Sequence, residues 1–470
     1  MIPNGDFGTV RDVIVVGAGI SGLTAAFKLQ QRGCDVEILE SGPRAGGVIG
    51  SVSRDGFLYE LGPNSTLDTT PLINGLLSDL GIANERSNAS AAANTRFIVR
   101  GGTLAALPTS PQAFLTTGAF SLGAKLRLLR EPFIPPLPPE AEESIASFVR
   151  RRLGQEFLDY AIDPFVSGIY AGDPERISVP AAFPRLHALE QKFGSLIKGQ
   201  IAGARERKRN AEKAKNTAGS FSFRGGMQTL TDALAARIRG LETGVAVTEI
   251  SRNDDGNFVV RGTCGGEAVV KCARTVVIAT PARHAAPMVR HLVPAAADAL
   301  ASIEYAPVAV AATAYRRSDI AHPLSGFGFL VPKCEHRSVL GSLFSSSMFD
   351  GRAPSDSVLL TTFIGGRRNP ELPGQDDATI TKLVHAEMVD LVGARQAPLW
   401  IQVTRWPQAI PQYDLGHLRR LSPVAAAESA IPGLHFCASY RGGVAVGDCI
   451  KAGHATAEAV GTRIAEFRRV

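Results

Sequence analysis

The chain has 470 residues, 45% of them hydrophobic and 20% charged, with a formal net charge of +6; this excludes a wholly disordered chain and leaves room for more than one domain. The six cysteines make no CxxC pair and the nine histidines no HExxH spacing, so buried thiols in a reducing cytosol are expected and a metal site is not. No apolar run reaches the roughly 18 residues of a membrane span, and the first twelve residues lack a signal-peptide pattern, so the expectation is a cytoplasmic protein, with peripheral membrane contact left open.

Val13 to Val16 is a β-branched run that reads as a buried strand, and Gly17-Ala18-Gly19-Ile20-Ser21-Gly22 follows at once. Leu23 to Arg32 carries apolar residues at helical spacing, Val36 to Leu39 is a second strand, and Glu40 closes it. Strand, glycine turn, helix, strand and acid make a dinucleotide-binding βαβ unit. Gly17 permits the turn, Gly19 lets backbone approach a pyrophosphate, Gly22 lets helix and strand pack closely, and Glu40 can accept from a ribose diol. Ser41-Gly42-Pro43-Arg44-Ala45-Gly46-Gly47 adds a second phosphate-facing loop, which favours the longer FAD over NAD(P).

Further along, Val48 to Val52 and Phe57 to Glu60 read as a hairpin leading into Leu61-Gly62-Pro63-Asn64-Ser65, then Pro71 to Gly81 as a helix and Arg96 to Val99 as a strand. From 111 to 193 the texture is helical: a basic amphipathic stretch at Ala124 to Leu129, a stiff proline link at 135–139, and helices over Glu143 to Gly154 and Glu156 to Val166. The basic face suits either a lipid surface or an ordinary solvent-facing helix. Arg205, Arg207, Lys208, Arg209, Lys213 and Lys215, against Glu206 and Glu212, read as a solvated insertion, and without aromatic interleaving no nucleic-acid partner is expected.

The spacing then predicts a helix over Gln228 to Ile238 and strands over Val245–Ile250, Phe258–Arg261, Glu267–Cys272 and Thr275–Ala279, the last rejoining the first sheet before Thr280-Pro281. A second strand set follows at Val308–Tyr315, Gly328–Val331, Val339–Phe344 and Val358–Ile364, whose apolar and aromatic content suits a large flat ligand. Trp406 to Tyr413 reads as a proline-punctuated loop. Gly433 to Ser439, the turn at Arg441-Gly442-Gly443 and a helix over Cys449 to Phe467 return the chain to its opening fold.

The sequences VGAGISG, RAGG and the closing RGG resemble the monoamine oxidase and phytoene desaturase-like flavoproteins. Tyr59-Glu60-Leu61-Gly62-Pro63-Asn64, Asp163 to Gly168, FSFRGGMQTL at 221–230, Gly341 to Ser346 and Trp406 to His417 resemble, more narrowly, the oxygen-dependent protoporphyrinogen oxidases, in the pattern of mitochondrial-type plant members. The resemblance implies an α/β (α+β overall) fold: a Rossmann-like FAD-binding domain (10–90, 220–285 and 411–470) with an inserted mixed-sheet substrate domain (286–410). It also implies a substrate-wall and mainly helical, membrane-associated domain (91–203), with the basic insertion at 204–219.

It implies non-covalent FAD held by Gly17, Gly19, Ser21, Gly22, Glu40, Ser41, Arg44, Gly46, Gly47, Gly62, Pro63, Asn64, Val247, Thr280, Trp406, Gly443, Val444 and Val446. A tetrapyrrole would be bound by Arg96, Gly172, Phe327, Leu330, Leu343 and Phe363, with Arg96 on a propionate and the two leucines and Phe363 as an apolar clamp. Ordinary explanations for these residues are a surface ion pair for Arg96 and sheet core for the clamp.

The implied reaction is six-electron oxidation of protoporphyrinogen IX to protoporphyrin IX in haem synthesis, with hydride passing to flavin N5 and dioxygen reoxidising the flavin to give three hydrogen peroxide. No catalytic base is assigned. A homodimer is compatible with the resemblance. The alternatives are coproporphyrinogen III oxidation, which would ask for a more basic pocket, amine oxidation, and a flavin-binding redox scaffold without turnover.

Overall fold

Because Val13 to Val16 alternate between two faces and all four are buried, their strand must be covered on both sides. Val13 and Val15 pack against Leu23 and Phe27 of the helix Ile20–Gln31 and Ile450 and Val460 of the helix Val446–Phe467. Ile14 and Val16 pack against Ala285 of Ala282–Met288 and Ala297 of Pro294–Ala301. Each such buried side chain contributes about 1.5–3 kcal/mol relative to exposure. This computed structural model describes residues 9–108, 110–138, 140–207 and 219–468; most of the basic insertion, 208–218, lies outside the described residues.

The strand Arg11–Val16 sits inside a seven-stranded sheet in the order Leu241–Thr243, Val36–Glu40, Arg11–Val16, Glu267–Ile278, Phe258–Cys264, Val245–Arg252, with Leu434–Phe436 also paired to Glu267–Ile278. Where two strands are expected at Glu267–Cys272 and Thr275–Ala279, there is one of twelve residues. Its first half pairs antiparallel with Phe258–Cys264 and its second half parallel with Arg11–Val16. The exposed Arg274, bound to Asp12, interrupts the apolar run without ending the strand.

A second seven-stranded sheet runs Trp400–Pro411, Tyr305–Arg316, Ser357–Gly365, Val339–Leu343, Gly328–Leu330, Phe97–Arg100, Thr103–Ala106. The segment read as a loop from Trp406 is therefore strand up to Pro411. Prolines 407 and 411 conceal it in the sequence, yet they are tolerated because this strand is the sheet's edge. One face is covered by the helix Asp377–Val392, whose Ile380, Val384 and Met388 pack against Ala309, Leu360 and Ile364. Cross-strand register puts Leu330, Gly341, Phe363 and Val310 in line on the other face, with Leu343 opposite Thr361 and Trp406 opposite Val308.

Between the sheets lies a buried seam. Arg352 donates to Glu60 Oε1 at 2.7 Å and to Ser222 Oγ at 2.6 Å, while Ser51 Oγ and the Met227 N–H donate to Glu60 at 2.5 and 3.0 Å. Burial raises the Glu60 pKa, against the pull of Arg352, Ser51 and Met227. Ser220–Phe223 is a strand joining Thr66–Leu67 to Arg86–Asn88, so FSFRGGM links this seam to the opening hairpin.

The helical region departs from expectation in two places. Residues 155–170 form a composite helix whose middle, Leu158–Ile162, is wound as a wide π turn directly ahead of Pro164, which has no N–H to give. In Leu122–Leu128 the expected basic face is turned inward: Lys125 Nζ donates to the Leu115 and Thr117 carbonyls and Arg127 to that of Arg151. The outward face is apolar, with Leu122, Leu126, Leu129 and Phe133 at 72%, 55%, 68% and 84% exposure. Beneath it, fully buried Arg152 bridges Glu131 at 3.1 Å and Glu190 at 2.5 Å. Among the described residues no helix is long and apolar enough to cross a membrane.

Candidate active site

The C-terminal ends of Arg11–Val16 and Val36–Glu40 bring the glycine turn and the acid together. Gly17 has φ +101° and donates its N–H to Leu39 O at 2.8 Å. A Cβ at Gly22 would lie 2.0 Å from Gly17 O, so only glycine lets the helix start this close to the turn. Glu40 accepts the Ala18 N–H on one oxygen at 2.8 Å and the Gly42 N–H on the other at 2.7 Å, with the Ser41 hydroxyl beside it at 3.4 Å. Oε2, with one donor, retains a lone pair for a further one.

The second loop is tied to the first through Gly46, whose N–H donates to Ala18 O at 2.8 Å, and through the bridge between Gly46 and Gly19. Arg44 spends three donor contacts on its own loop, to the carbonyls of Ala45, Ile49 and Gly47. It is thus first a loop brace, and with five N–H groups it keeps others for an anion. Ser21 is buried in the first turn of Ile20–Gln31, and Gly47 approaches Gly19 across the two loops.

Thr280 follows the long central strand, its methyl against Gly17 and its hydroxyl buried without a partner. Val247 shares a core with Val16 and Leu39, and nearby the Gly244 N–H donates to Gly42 O at 3.0 Å. An open backbone cradle, an acid with a free lone pair and an orphaned Thr280 hydroxyl are the groups an adenine dinucleotide satisfies.

Trp406 reaches from the second sheet and donates its indole N–H to Leu61 O at 2.7 Å, beside Gly62, Pro63 and Asn64, all half-buried. Gly443, Val444 and Val446 lie at the entry to Val446–Phe467. The two glycine loops, the 61–64 loop and Trp406 are tied to one another by these hydrogen bonds and bridges, and Gly443 to Val446 lead into the closing helix.

On the sheet face opposite, Leu330, Leu343, Phe363 and Trp406 are all half-buried, as side chains lining a cleft are. Leu330 Cδ2 would meet a Cβ at Gly168 at 2.9 Å, so the Asp163–Tyr170 helix forms a wall over it. Asp163 pins that wall by accepting from the Lys333 N–H at 2.6 Å and Arg368 at 3.0 Å; burial raises its pKa despite Arg368. Phe327 packs with Leu343, and the Arg96 guanidinium lies 5.2 Å from the Phe327 ring centre. Arg96 is exposed, neighbouring protein lowers its pKa by partly desolvating the guanidinium, and among the described residues no carboxylate pairs with it. Gly172 differs from the others: its missing side chain faces Gln412 and Ile177 rather than the apolar sheet face.

Two parts of the site carry no spacing signal. Arg352 is a lone arginine in a turn, and only its buried contact with Glu60, 292 positions away, shows its place. Tyr413 and His417 lie in a motif read as loop, yet they stack face to face.

A mixed sheet with a glycine-turn cradle at the ends of its parallel strands, beside a second sheet with an apolar face, is the fold of a two-lobed flavoprotein oxidoreductase. Residues 20–461 match the family of flavin containing amine oxidoreductases. The mitochondrial protoporphyrinogen oxidase of Nicotiana tabacum is 33% identical over 96% of this chain and 95% of its own length. Protoporphyrinogen oxidase 2 of Arabidopsis thaliana, chloroplastic/mitochondrial, is 34% identical over 96% and 94%. The chain belongs to the protoporphyrinogen oxidase family. Its fold matches the crystal structure of an Exiguobacterium sp. 255-15 protein with a TM-score of 0.80 at 23% identity, over 97% of this chain and 99% of that one.

Proposed function

We propose that the protein oxidises protoporphyrinogen IX to protoporphyrin IX with non-covalently held FAD and dioxygen, releasing three hydrogen peroxide per porphyrin. The observation that carries this reading is the half-buried apolar face of Leu330, Leu343 and Phe363 with unpaired Arg96 at its margin. FAD, when bound, supplies the two-electron acceptor and the route to oxygen.

The chain's own work is binding and orientation. Leu330, Leu343 and Phe363 take the flat tetrapyrrole and exclude water from its reacting edge. Arg96 holds one propionate by a charge-assisted, bidentate hydrogen bond, in place of the cation–π contact with Phe327 alone. Glu40 receives the ribose hydroxyls, the Gly17 to Gly22 turn and the spare N–H groups of Arg44 face the pyrophosphate, and Trp406 fixes the 61–64 loop against the cofactor. A single strong cation on an apolar face suits a dicarboxylate better than the tetracarboxylate coproporphyrinogen III.

The exposed row Leu122, Leu126, Leu129 and Phe133 supports peripheral contact with a lipid surface, which sedimentation with phospholipid vesicles tests. For the reaction, turnover of protoporphyrinogen IX and coproporphyrinogen III is compared side by side. Protoporphyrinogen IX should give the larger kcat/KM, and the reverse order overturns the substrate assignment.

A further inference from the structure

Tyr413 follows the edge strand Trp400–Pro411 and is 2% exposed. Its hydroxyl donates to Ser439 O at 2.7 Å and accepts the Gly443 N–H at 2.9 Å, so one oxygen spans the turn 439–443 from end to end. The ring stacks on His417 with centres 4.2 Å apart and planes 14° from parallel. His417 in turn donates its Nε2–H to Tyr440 O at 2.9 Å. Two side chains of one short segment thus hold the backbone of residues 439, 440 and 443.

The turn they hold has no slack. Gly443 sits at φ +129°, and a Cβ there would lie 2.4 Å from Asp448 Oδ2. Immediately beyond it begins the 22-residue helix Val446–Phe467, whose N-cap, Ala445, offers no side-chain acceptor. The first turn carries one acid, Asp448, packed against Gly443, so the position of the helix start follows the turn before it. Tyr413 also continues the strand that carries Trp406, which holds Leu61 O on the far side of the cleft.

We infer that Tyr413 and His417 are positioning residues of the flavin site: through the 439–443 turn they fix the start of Val446–Phe467 against the cofactor and couple it to the substrate-facing sheet. This rests on the flavin reading above. Both side chains are engaged with backbone of the turn, so both would act on a bound cofactor through that backbone.

The test is FAD binding to the apo-protein and the midpoint potential of the reconstituted protein, for the parent and for Tyr413→Phe, which keeps the ring stack and removes the hydroxyl. The FAD dissociation constant should rise about tenfold, as for loss of one to two buried hydrogen bonds. The midpoint potential should become less positive, because a looser helix start stabilises the negative charge of the reduced flavin less. His417→Gln, read by the same two measurements, should give a smaller shift of the same sign, and it serves as the test if Tyr413→Phe does not fold. Unchanged affinity and potential overturn the inference, as does a fall in thermal midpoint with both unchanged, which marks a merely structural role. A parent protein that does not bind FAD instead overturns the flavin reading.

Discussion

In the sheet around Arg11–Val16 the groups that meet the cleft are backbone amides, missing side chains and one carboxylate. In the sheet around Tyr305–Arg316 they are apolar side chains standing off the strands. The first half of the site is thus made by where the chain can bend, and the second by which face a residue occupies. A glycine turn tolerates almost no substitution at its close contacts, whereas a sheet face can exchange one apolar side chain for another while keeping its register. The glycine-turn side is therefore rigid in sequence and the apolar sheet face adjustable.

The largest effect is expected where the two halves meet. Arg352→Met leaves Glu60 buried without its cation, at a cost of about 3–5 kcal/mol; denaturant melts should show it, and both FAD affinity and KM should worsen together. Gly22→Ala forces the helix Ile20–Gln31 away from Gly17 O, a strain of about 1–3 kcal/mol. Titration of the apo-protein should then show FAD affinity falling with little change in KM for the material that remains loaded. Arg96→Ala should do the opposite, raising KM about tenfold through loss of a charge-assisted contact with FAD affinity intact. A joint loss from either of these last two would break the division of labour between the sheets.

Glu131→Gln, remote from both, should have the smallest effect on FAD affinity and KM. Burial pushes the Glu131 carboxyl up, but Ser195, the Leu196 and Ile197 N–H groups and Arg152 together hold it below its ordinary 4.5. The folded value lies below the unfolded one, so its stabilisation is present above the ordinary carboxylate range and is lost as pH falls through the folded value. Thermal melts from neutral to acid pH should show the parent losing this contribution, and the variant, whose Arg152 keeps Glu190 as a partner, starting about 1.5–3 kcal/mol lower with a flatter acid limb.

The glycine turn was legible because its requirements are local: Gly17, Gly19, Gly22 and Glu40 lie within one βαβ unit, and their spacing is the geometry. The second sheet's strands were legible by their apolar runs, but Trp400–Pro411 was hidden by Pro407 and Pro411, since a proline tells the reader about a missing donor and nothing about whether a partner needed it. Leu122–Leu128 misled for a related reason. Its basic residues are expected to face a lipid surface or solvent, whereas Lys125 and Arg127 reach back to carbonyls, which no periodicity reports. The Arg352–Glu60 seam could not be read at all, because it joins residues that only the tertiary fold brings together.

The edge strand has one more consequence. Twelve residues of unpaired sheet margin would ordinarily invite a strand from another molecule to add on. Pro407 and Pro411 remove donors from that margin, and Arg405 is bound to the Pro373 and Gln375 carbonyls. The same prolines that disguise the strand make its rim a poorer template for the addition of a strand from another molecule.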